Sequence, residues 1–184
     1  ANQPLSLVVA EICERSGLKN FDVSGLYGVV RGYMPEGVGT ARAALQPLML
    51  AYAFEAVERP GVLVFQMRGI KPPTLLDSEH LVEADDLDGV LEATRNPEAE
   101  TAGRVRLNFV EAEADFAVRQ VEAIFPDEES FGVSQSELAL ALTDSDGRSI
   151  AERWLSEARV ARDTARFVLP RSLAHLGAGD VVDL

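Results

Sequence analysis

The stretch Ser136-Glu-Leu-Ala-Leu-Ala-Leu-Thr-Asp-Ser-Asp-Gly-Arg-Ser-Ile-Ala-Glu-Arg-Trp-Leu-Ser-Glu-Ala158 sets the fold class, because its apolar period changes within a few residues. Residues 136–143 place a leucine at every second position, which is the period of a strand with one buried face. From Ile150 to Ala161 the apolar residues recur every three or four positions, which predicts a helix. The Asp144-Ser-Asp-Gly147 segment is predicted to be a turn between them.

Further strands are predicted around this unit. Residues 104–111 alternate polar and apolar side chains, as expected for a sheet with one buried face. We also predict strands over residues 89–96 and 116–125, although the apolar positions of the latter fit strand and helix periods about equally. After the helix, a strand over residues 166–169 ends at Pro170. The turn Leu176-Gly-Ala-Gly-Asp180 then precedes a last strand.

The first part of the chain is predicted to start with a helix over residues 6–16, with Ser6 as its N-cap and Gly17 just after its C-terminus. Residues 22–26 are predicted to form a short turn or a helical start. Residues 29–34 have strand character and lead into the Pro35-Glu-Gly-Val-Gly39 turn.

Thr40 is predicted to cap a second helix, whose apolar stripe runs from Ala41 to Tyr52. Pro47 falls inside this stripe and predicts a kink or a break near Ala43. Strands over residues 54–58 and 62–68 follow, joined by a hairpin turn at Arg59-Pro-Gly61.

These elements predict an α+β fold with mixed or antiparallel sheets and about three main helices. The proline-containing break at Ile70-Lys-Pro-Pro73 predicts a division into two small α+β domains, residues 1–72 and residues 73–184. The sequence begins at Ala1 without an initiator Met and ends in an apparent strand at Leu184. We therefore expect it to be a piece of a longer polypeptide.

Charge and length restrict the classes of partner. The 184 residues carry 17 Lys+Arg against 30 Asp+Glu, a net charge of -13. Proteins that bind nucleic acid do so largely through clustered cations, so we expect no nucleic acid partner. No run approaches the ~20 apolar residues of a membrane helix, so this segment predicts no membrane partner either.

Residues suited to catalysis or metal binding are scarce. His80 and His175 stand far apart, and the single cysteine, Cys13, lies in a helical apolar pattern that predicts a buried thiol. Asp144-Ser-Asp-Gly147 resembles part of a calcium loop but is better explained by helix capping. Trp154 lies on the apolar face of its helix and is predicted to be core. We therefore predict no catalytic residue, cofactor site or metal site.

One cluster of acidic residues leaves the binding of a cation open as an alternative. Asp85, Asp86 and Asp88 could offer carboxylate oxygens to a hard cation, but a solvated loop is the favoured interpretation.

Five stretches together resemble a known family. They are Asp22-Val-Ser-Gly-Leu26, Val30-Arg-Gly-Tyr33, Thr40-Ala-Arg-Ala-Ala-Leu-Gln-Pro-Leu-Met49, Glu152-Arg-Trp-Leu-Ser-Glu-Ala158 and Leu176-Gly-Ala-Gly-Asp-Val-Val182. Their order is similar to that in the putative phage tail protein family of gene transfer agents and related siphophages. Members include host specificity proteins and tail-tip hub proteins.

The resemblance implies a structural role. It implies two hub-type α+β domains of a protein at the distal end of a phage-like tail, in the tail-tip or baseplate hub, which takes part in assembly and host attachment. The implied partners are other tail-tip and baseplate proteins and two further copies in a homotrimer. The implied location is the tail of a virion or phage-like particle, after synthesis in the bacterial cytoplasm. No catalytic residue is carried over.

Two other classes of function stay open on sequence. A receptor- or glycan-binding module of a tail tip predicts an exposed aromatic cluster. A carboxylate-dependent hydrolase predicts a deep pocket with convergent acids of perturbed pKa.

Overall fold

The computed structural model describes residues 2–35, 39–69, 71–85, 87–97, 103–113, 115, 117–126 and 132–184. Among the predicted features, residues 36–38 of the turn, Ile70 at the domain boundary, Asp86 and Phe116 lie outside these ranges. The helices and strands run in the order β1 (Gln3–Pro4), α1 (Leu5–Arg15), β2 (Phe21–Gly25), β3 (Val29–Val30), α2 (Ala41–Tyr52), β4 (Phe54–Arg59), β5 (Val62–Met67), β6 (Thr74–Leu75), β7 (Leu91–Arg95), β8 (Arg104–Glu111), β9 (Val118–Ile124), β10 (Val133–Leu142), α3 (Asp144–Val160), β11 (Asp163–Phe167) and β12 (Val182–Asp183). The predicted α+β class is confirmed.

Helix α1 forms close to its predicted position. Leu5, Val9 and Cys13 stand four residues apart and are all buried on one face. Gly17 adopts a φ of +82°, and the amides of Gly17 and Leu18 donate to the carbonyls of Glu14 and Cys13, so the predicted glycine stop is confirmed. The N-cap is Pro4, which makes no side-chain capping bond, so the prediction of Ser6 as the cap is wrong.

Strand β2 corrects the prediction of a turn or helical start at residues 22–26. The Asp22 carboxylate accepts the Ser24 amide at 2.8 Å, a local bond typical of turns. The backbone nevertheless pairs with β5, Phe21 opposite Leu63 and Asp22 opposite Val64. Long-range pairing therefore overrides the local turn signal. Strand β5 is central in a three-stranded mixed sheet of order β2-β5-β4, in which β4 and β5 form the predicted hairpin.

Helix α2 begins as predicted. Thr40 Oγ1 accepts the Ala43 amide at 3.3 Å, which satisfies one of the unpaired amides of the first turn. The helix continues through Pro47 to Tyr52, so it contains no break near Ala43. The Tyr33 hydroxyl donates to the Ala44 carbonyl in the turn before Pro47, and so ties the helix to the segment after β3.

A second three-stranded mixed sheet has the order β10-β8-β9, with β10 parallel and β9 antiparallel to β8. Helix α3 packs against this sheet. It begins at Asp144, so the predicted turn at residues 144–147 is its first turn. Thr143 and Asp146 form a reciprocal capping box, in which each side chain accepts the other residue's amide. The preference for capping over a calcium loop is consistent with this geometry.

Three short strand pairs complete the described topology. Strands β1 and β3 pair antiparallel, and β6 and β12 pair parallel. Strands β7 and β11 form a separate antiparallel pair, with β11 beginning three residues before its predicted start.

The buried core crosses the predicted domain boundary. One apolar cluster includes Leu5 and Leu48 from the first part and Phe109 and Leu140 from the second. The Cys13 thiol is buried, and burial raises its pKa, as expected for an unreactive cysteine. Trp154 is half-buried against the same cluster. The division at residue 72 stays a prediction.

Candidate functional site

The C-terminal turn, quoted above for its family resemblance, is bound to the β4–β5 hairpin through Asp180. The Asp180 carboxylate accepts Lys71 Nζ at 2.9 Å, the Gly177 amide at 2.9 Å and Arg59 Nη2 at 3.1 Å. These donors lower the pKa of Asp180 to about 2, with Lys71 the largest cause. We call Arg59, Gln66, Lys71, Gly179 and Asp180 the C-terminal clasp.

Gly179 lets the turn approach the sheet. Its φ is +79°, a conformation that side-chain-bearing residues rarely adopt. Gln66 Nε2 donates to the Gly179 carbonyl at 3.1 Å and to Glu55 Oε1 at 3.0 Å. A Cβ at Gly179 would lie 2.2 Å from Gln66 Nε2. The backbone angle therefore favours glycine, and any side chain there would displace the ends of the Gln66 and Glu55 side chains.

A second long-range contact joins α3 to the C-terminus of α2. Arg153 Nη2 donates to the carbonyls of Leu50 and Ala51, and Trp154 Nε1 donates to that of Leu50 at 3.2 Å. Helix α2 has no basic residue in its own last turn, and Ala53 closes it with a φ of +56°. Arg153 therefore supplies both the hydrogen bonds and the positive charge that a helix C-terminus favours.

The clasp and the helix cap were not predicted as sites. Neither can be found from local pattern, because Arg59 and Asp180, or Arg153 and Leu50, are joined only by the folded chain. The sole sequence signal was the resemblance of the segments that contain Arg153 and Asp180 to family motifs.

The residues weighed for metal binding do not come together. His80 is exposed, with Nδ1 accepting the Asp77 amide at 3.0 Å, and His175 is exposed in a separate turn. Asp85 and Asp88 are exposed too. Over the described ranges, which omit Asp86, no group of three His, Cys, Asp or Glu side chains could hold a metal ion.

The perturbed acids are those held in ion pairs or turns. Among the described residues, the pKa is clearly shifted for Asp22, Glu122, Asp144 and Asp180, and in all four it is lowered by hydrogen bonds. A general acid for hydrolysis needs a raised pKa instead. These four carboxylates therefore have the electrostatics of structural ion pairs and turns.

Three clefts also lack paired acids among the described residues that line them. A cleft of about 680 Å³ between residues 32–35 and the β8–β10 sheet has Glu137 as its acid, and a cleft of about 600 Å³ beside the start of α2 shares that residue. A third, of about 300 Å³, is lined by Asp146 with Arg31 and Arg153.

Exposed aromatic surface is equally limited. Among the described residues, Tyr27 is the aromatic side chain that is largely exposed, at 62%. Phe54 and Phe65 pack edge to face in the core, and Tyr52 donates its hydroxyl to the Val29 carbonyl. Sugar-binding platforms need exposed rings in clusters, and these residues do not form one.

Open sheet edges are the most prominent surface feature. Strand β9 is an outer strand of its sheet, with Val118 at 73% and Ile124 at 50% exposure. In the β7–β11 pair, nine of ten residues are exposed and Phe167 is half-exposed. Monomeric proteins usually cover or shorten such edges.

Comparison with known proteins identifies the class to which this architecture belongs. Residues 40–184 match the profile of the family described as "Putative phage tail protein". The chain belongs to this family.

No helix within the described ranges combines the length and apolar composition needed to cross a bilayer.

Two solved structures are informative. The chain is similar to one in the "Virion of native gene transfer agent (GTA) particle", with 56% identity and a TM-score of 0.93 over 98% of this chain and 41% of that one. It shares its fold with the tail protein from Neisseria meningitidis MC58, with 12% identity and a TM-score of 0.61 over 99% of this chain and 54% of that one. The chain thus spans about half the length, or less, of these structures. No curated protein sequence matches it significantly.

Proposed function

We propose that this chain is a structural part of the distal tail-tip or baseplate hub of a gene transfer agent or phage tail. The observation that carries the proposal is the 56% identity to a chain of the gene transfer agent virion over 98% of the present sequence. The TM-score of 0.93 shows that the fold is shared as well. The assembled hub would support particle assembly and attachment to the host.

The contacts that join distant segments have the character of a scaffold. The clasp fixes the C-terminal turn on the first sheet, and Arg153 fixes α3 on α2. Both contacts use charged donors, whose hydrogen bonds are among the stronger ones in proteins. A rigid frame with open sheet edges suits a protein whose neighbours complete its surface.

The proposed partners are other tail-tip and baseplate proteins and two further copies in a homotrimer. Symmetric assembly places the same patch on every subunit, so one pair of complementary surfaces suffices. The proposal includes no catalytic step, no cofactor and no nucleic acid contact.

Location in the particle tests the proposal. An epitope inserted after Ala174, in an exposed turn, should place immunogold at the distal end of the tail in electron micrographs of purified particles. Untagged particles are the control. Label on the head or along the tail tube, or its absence from intact tails, would contradict the hub assignment.

The non-enzymatic part of the proposal has its own test. Glu137→Gln and Asp146→Asn neutralise the acids that line the clefts while keeping their shape. Particles carrying either variant should assemble and transfer DNA as the wild type does. Normal tails with abolished transfer would indicate chemistry at that cleft.

A further inference from the structure

The β7–β11 pair is a two-stranded ribbon with little packing against the other described helices and strands. All five residues of β7 and four of the five residues of β11 are exposed, so neither face is buried. An isolated two-stranded sheet is marginally stable in water, and a third strand or a packing face is normally needed. Among the described strands, β7 and β11 pair only with each other. The ribbon therefore presents two strand edges.

The ribbon is electrically neutral within a strongly acidic chain. Glu92 and Asp163 balance Arg95 and Arg166, whereas the whole chain carries -13. Copies of such a chain repel one another over distances of about the Debye length, ~8 Å in physiological salt. A neutral edge is where two copies can approach without that repulsion.

The two edges are also complementary in sequence. Within the chain, the register places Asp163 opposite Arg95 and Arg166 opposite Glu92, and Arg95 Nε lies 3.1 Å from Asp163 Oδ1. If the outer edge of β11 in one copy met the outer edge of β7 in the next in that register, every one of these cross-strand pairs would be repeated. Opposite charges facing each other stabilise such pairing, and like charges oppose it.

From these observations we infer that the ribbon is a docking surface for a second copy of this chain, with β11 of one copy adding as a strand to β7 of the next. The contact is head-to-tail: the edge of β11 in one copy pairs with the edge of β7 in the next, so each copy has a second edge that can pair with a third copy. Backbone hydrogen bonds supply the attraction, and the two charge pairs set the register. The inference deepens the proposed function, since it names the surface by which copies in the hub would meet.

Cysteine trapping tests the register in the purified 184-residue chain. Thr94 and Thr164 face each other in the ribbon and are exposed. Thr94→Cys and Thr164→Cys are made in separate chains of different tag mass, mixed and oxidised mildly. Cys13 can stay, because it is 1% exposed. We expect a covalent dimer that contains one chain of each kind.

The matched control mixes Ser24→Cys, an exposed position on another edge strand, with Thr164→Cys. The double substitution Arg95→Asp with Asp163→Arg, made in the Thr94→Cys chain alone, keeps an opposite-charge pair in that chain's own ribbon but places an acid opposite Asp163 of the other copy, so it should abolish the trapped dimer. The same double substitution in both chains makes the facing charges opposite again and should restore trapping. Trapping no greater than in the control, or trapping unaffected when only one chain carries the double substitution, would overturn the inference.

Amide hydrogen exchange distinguishes the addition of β11 to the edge of β7 from domain swapping, in which two copies trade strands. Addition should slow the exchange of amides in both β7 and β11 as protein concentration rises. Unchanged protection alongside a trapped dimer would indicate swapped strands and would overturn the inference. If the particle shows no label at the tail tip but trapping succeeds, the proposed function fails while this contact stands.

Discussion

Arg59 and Asp180 lie 121 positions apart in the sequence, yet Arg59 Nη2 is 3.1 Å from both carboxylate oxygens of Asp180. The Asp180 side chain is 16% exposed, so solvent screens this contact less than it screens a typical surface pair. The clasp thus holds the C-terminal turn to the hairpin with charge-assisted hydrogen bonds.

Asp180→Asn should lower the free energy of unfolding by about 2 kcal/mol at neutral pH, because the clasp loses its charge. The pKa of Asp180 is lowered from 3.8 to about 2 on folding. A lowered pKa stabilises the fold above pH 3.8, and this stabilisation is lost as the pH falls through 2. Urea unfolding from pH 6 downward should therefore show the difference between wild type and variant shrinking across that interval.

Asp183→Asn is the control for this experiment, since it removes the same charge from an exposed side chain nearby. It should change the stability at pH 6 by only a few tenths of a kcal/mol. Equal effects of the two substitutions would show that the clasp contributes nothing beyond net charge.

Gly179→Ala should destabilise the chain more than Gly61→Ala. Both glycines have a φ of +79°, so the backbone strain of the substitution is matched. Gly61 has open space around its Cβ position, whereas Gly179 faces Gln66 and Glu55 at 2.2 and 2.3 Å. We expect an additional loss of about 1 kcal/mol, the net value of the Gln66 hydrogen bond that must give way. Thermal or urea unfolding of both variants measures it, and an equal loss would contradict the tight packing.

Arg153→Ala should cost about 2 kcal/mol, because the Leu50 and Ala51 carbonyls lose a charged donor at the end of α2. Arg148→Ala in the same helix is the control. Its side chain is 63% exposed and pairs with Asp144 four residues earlier, a contact worth about 0.3–0.5 kcal/mol. Hydrogen exchange of α2 should increase in the first variant only. Comparable losses would mean that the capping contact is weak.

Gly147→Ala should destabilise α3 although alanine is the better helix former by about 1 kcal/mol. The new Cβ would lie 2.3 Å from Cε1 of Phe109, a ring that is 1% exposed. Ser149→Ala, at an exposed position of the same helix, should be neutral or slightly stabilising. Adding Phe109→Leu to Gly147→Ala should recover part of the loss. Urea unfolding of these three variants and the wild type measures the effects, and a stabilising Gly147→Ala would contradict the contact.

Local signals fixed much of the secondary structure. The period of Leu5, Val9 and Cys13 predicted α1, the alternation in residues 104–111 predicted β8, and the Thr40 cap predicted the start of α2. Each of these features depends on neighbours a few residues away, which the sequence displays directly. The α+β class followed from the same patterns.

Local signals failed where a distant partner decided the conformation. Asp22 makes the side-chain bond of a turn, but pairing with Val64 makes it part of a strand. Gly147 suggested a turn, but the capping box places it in the first turn of a helix, and the Phe109 ring occupies the room that a Cβ would need there.

The sequence by itself thus determined the helices, most strands, the net acidity and the family resemblance, because these depend on residue type and short spacing. Only the tertiary structure decided the sheet order, the pairing of Arg59 with Asp180 and of Arg153 with α2, and the neutral ribbon formed by β7 and β11. Those contacts join segments separated by tens of residues or more, and the free energy that selects them comes from burial and hydrogen bonding of the whole fold.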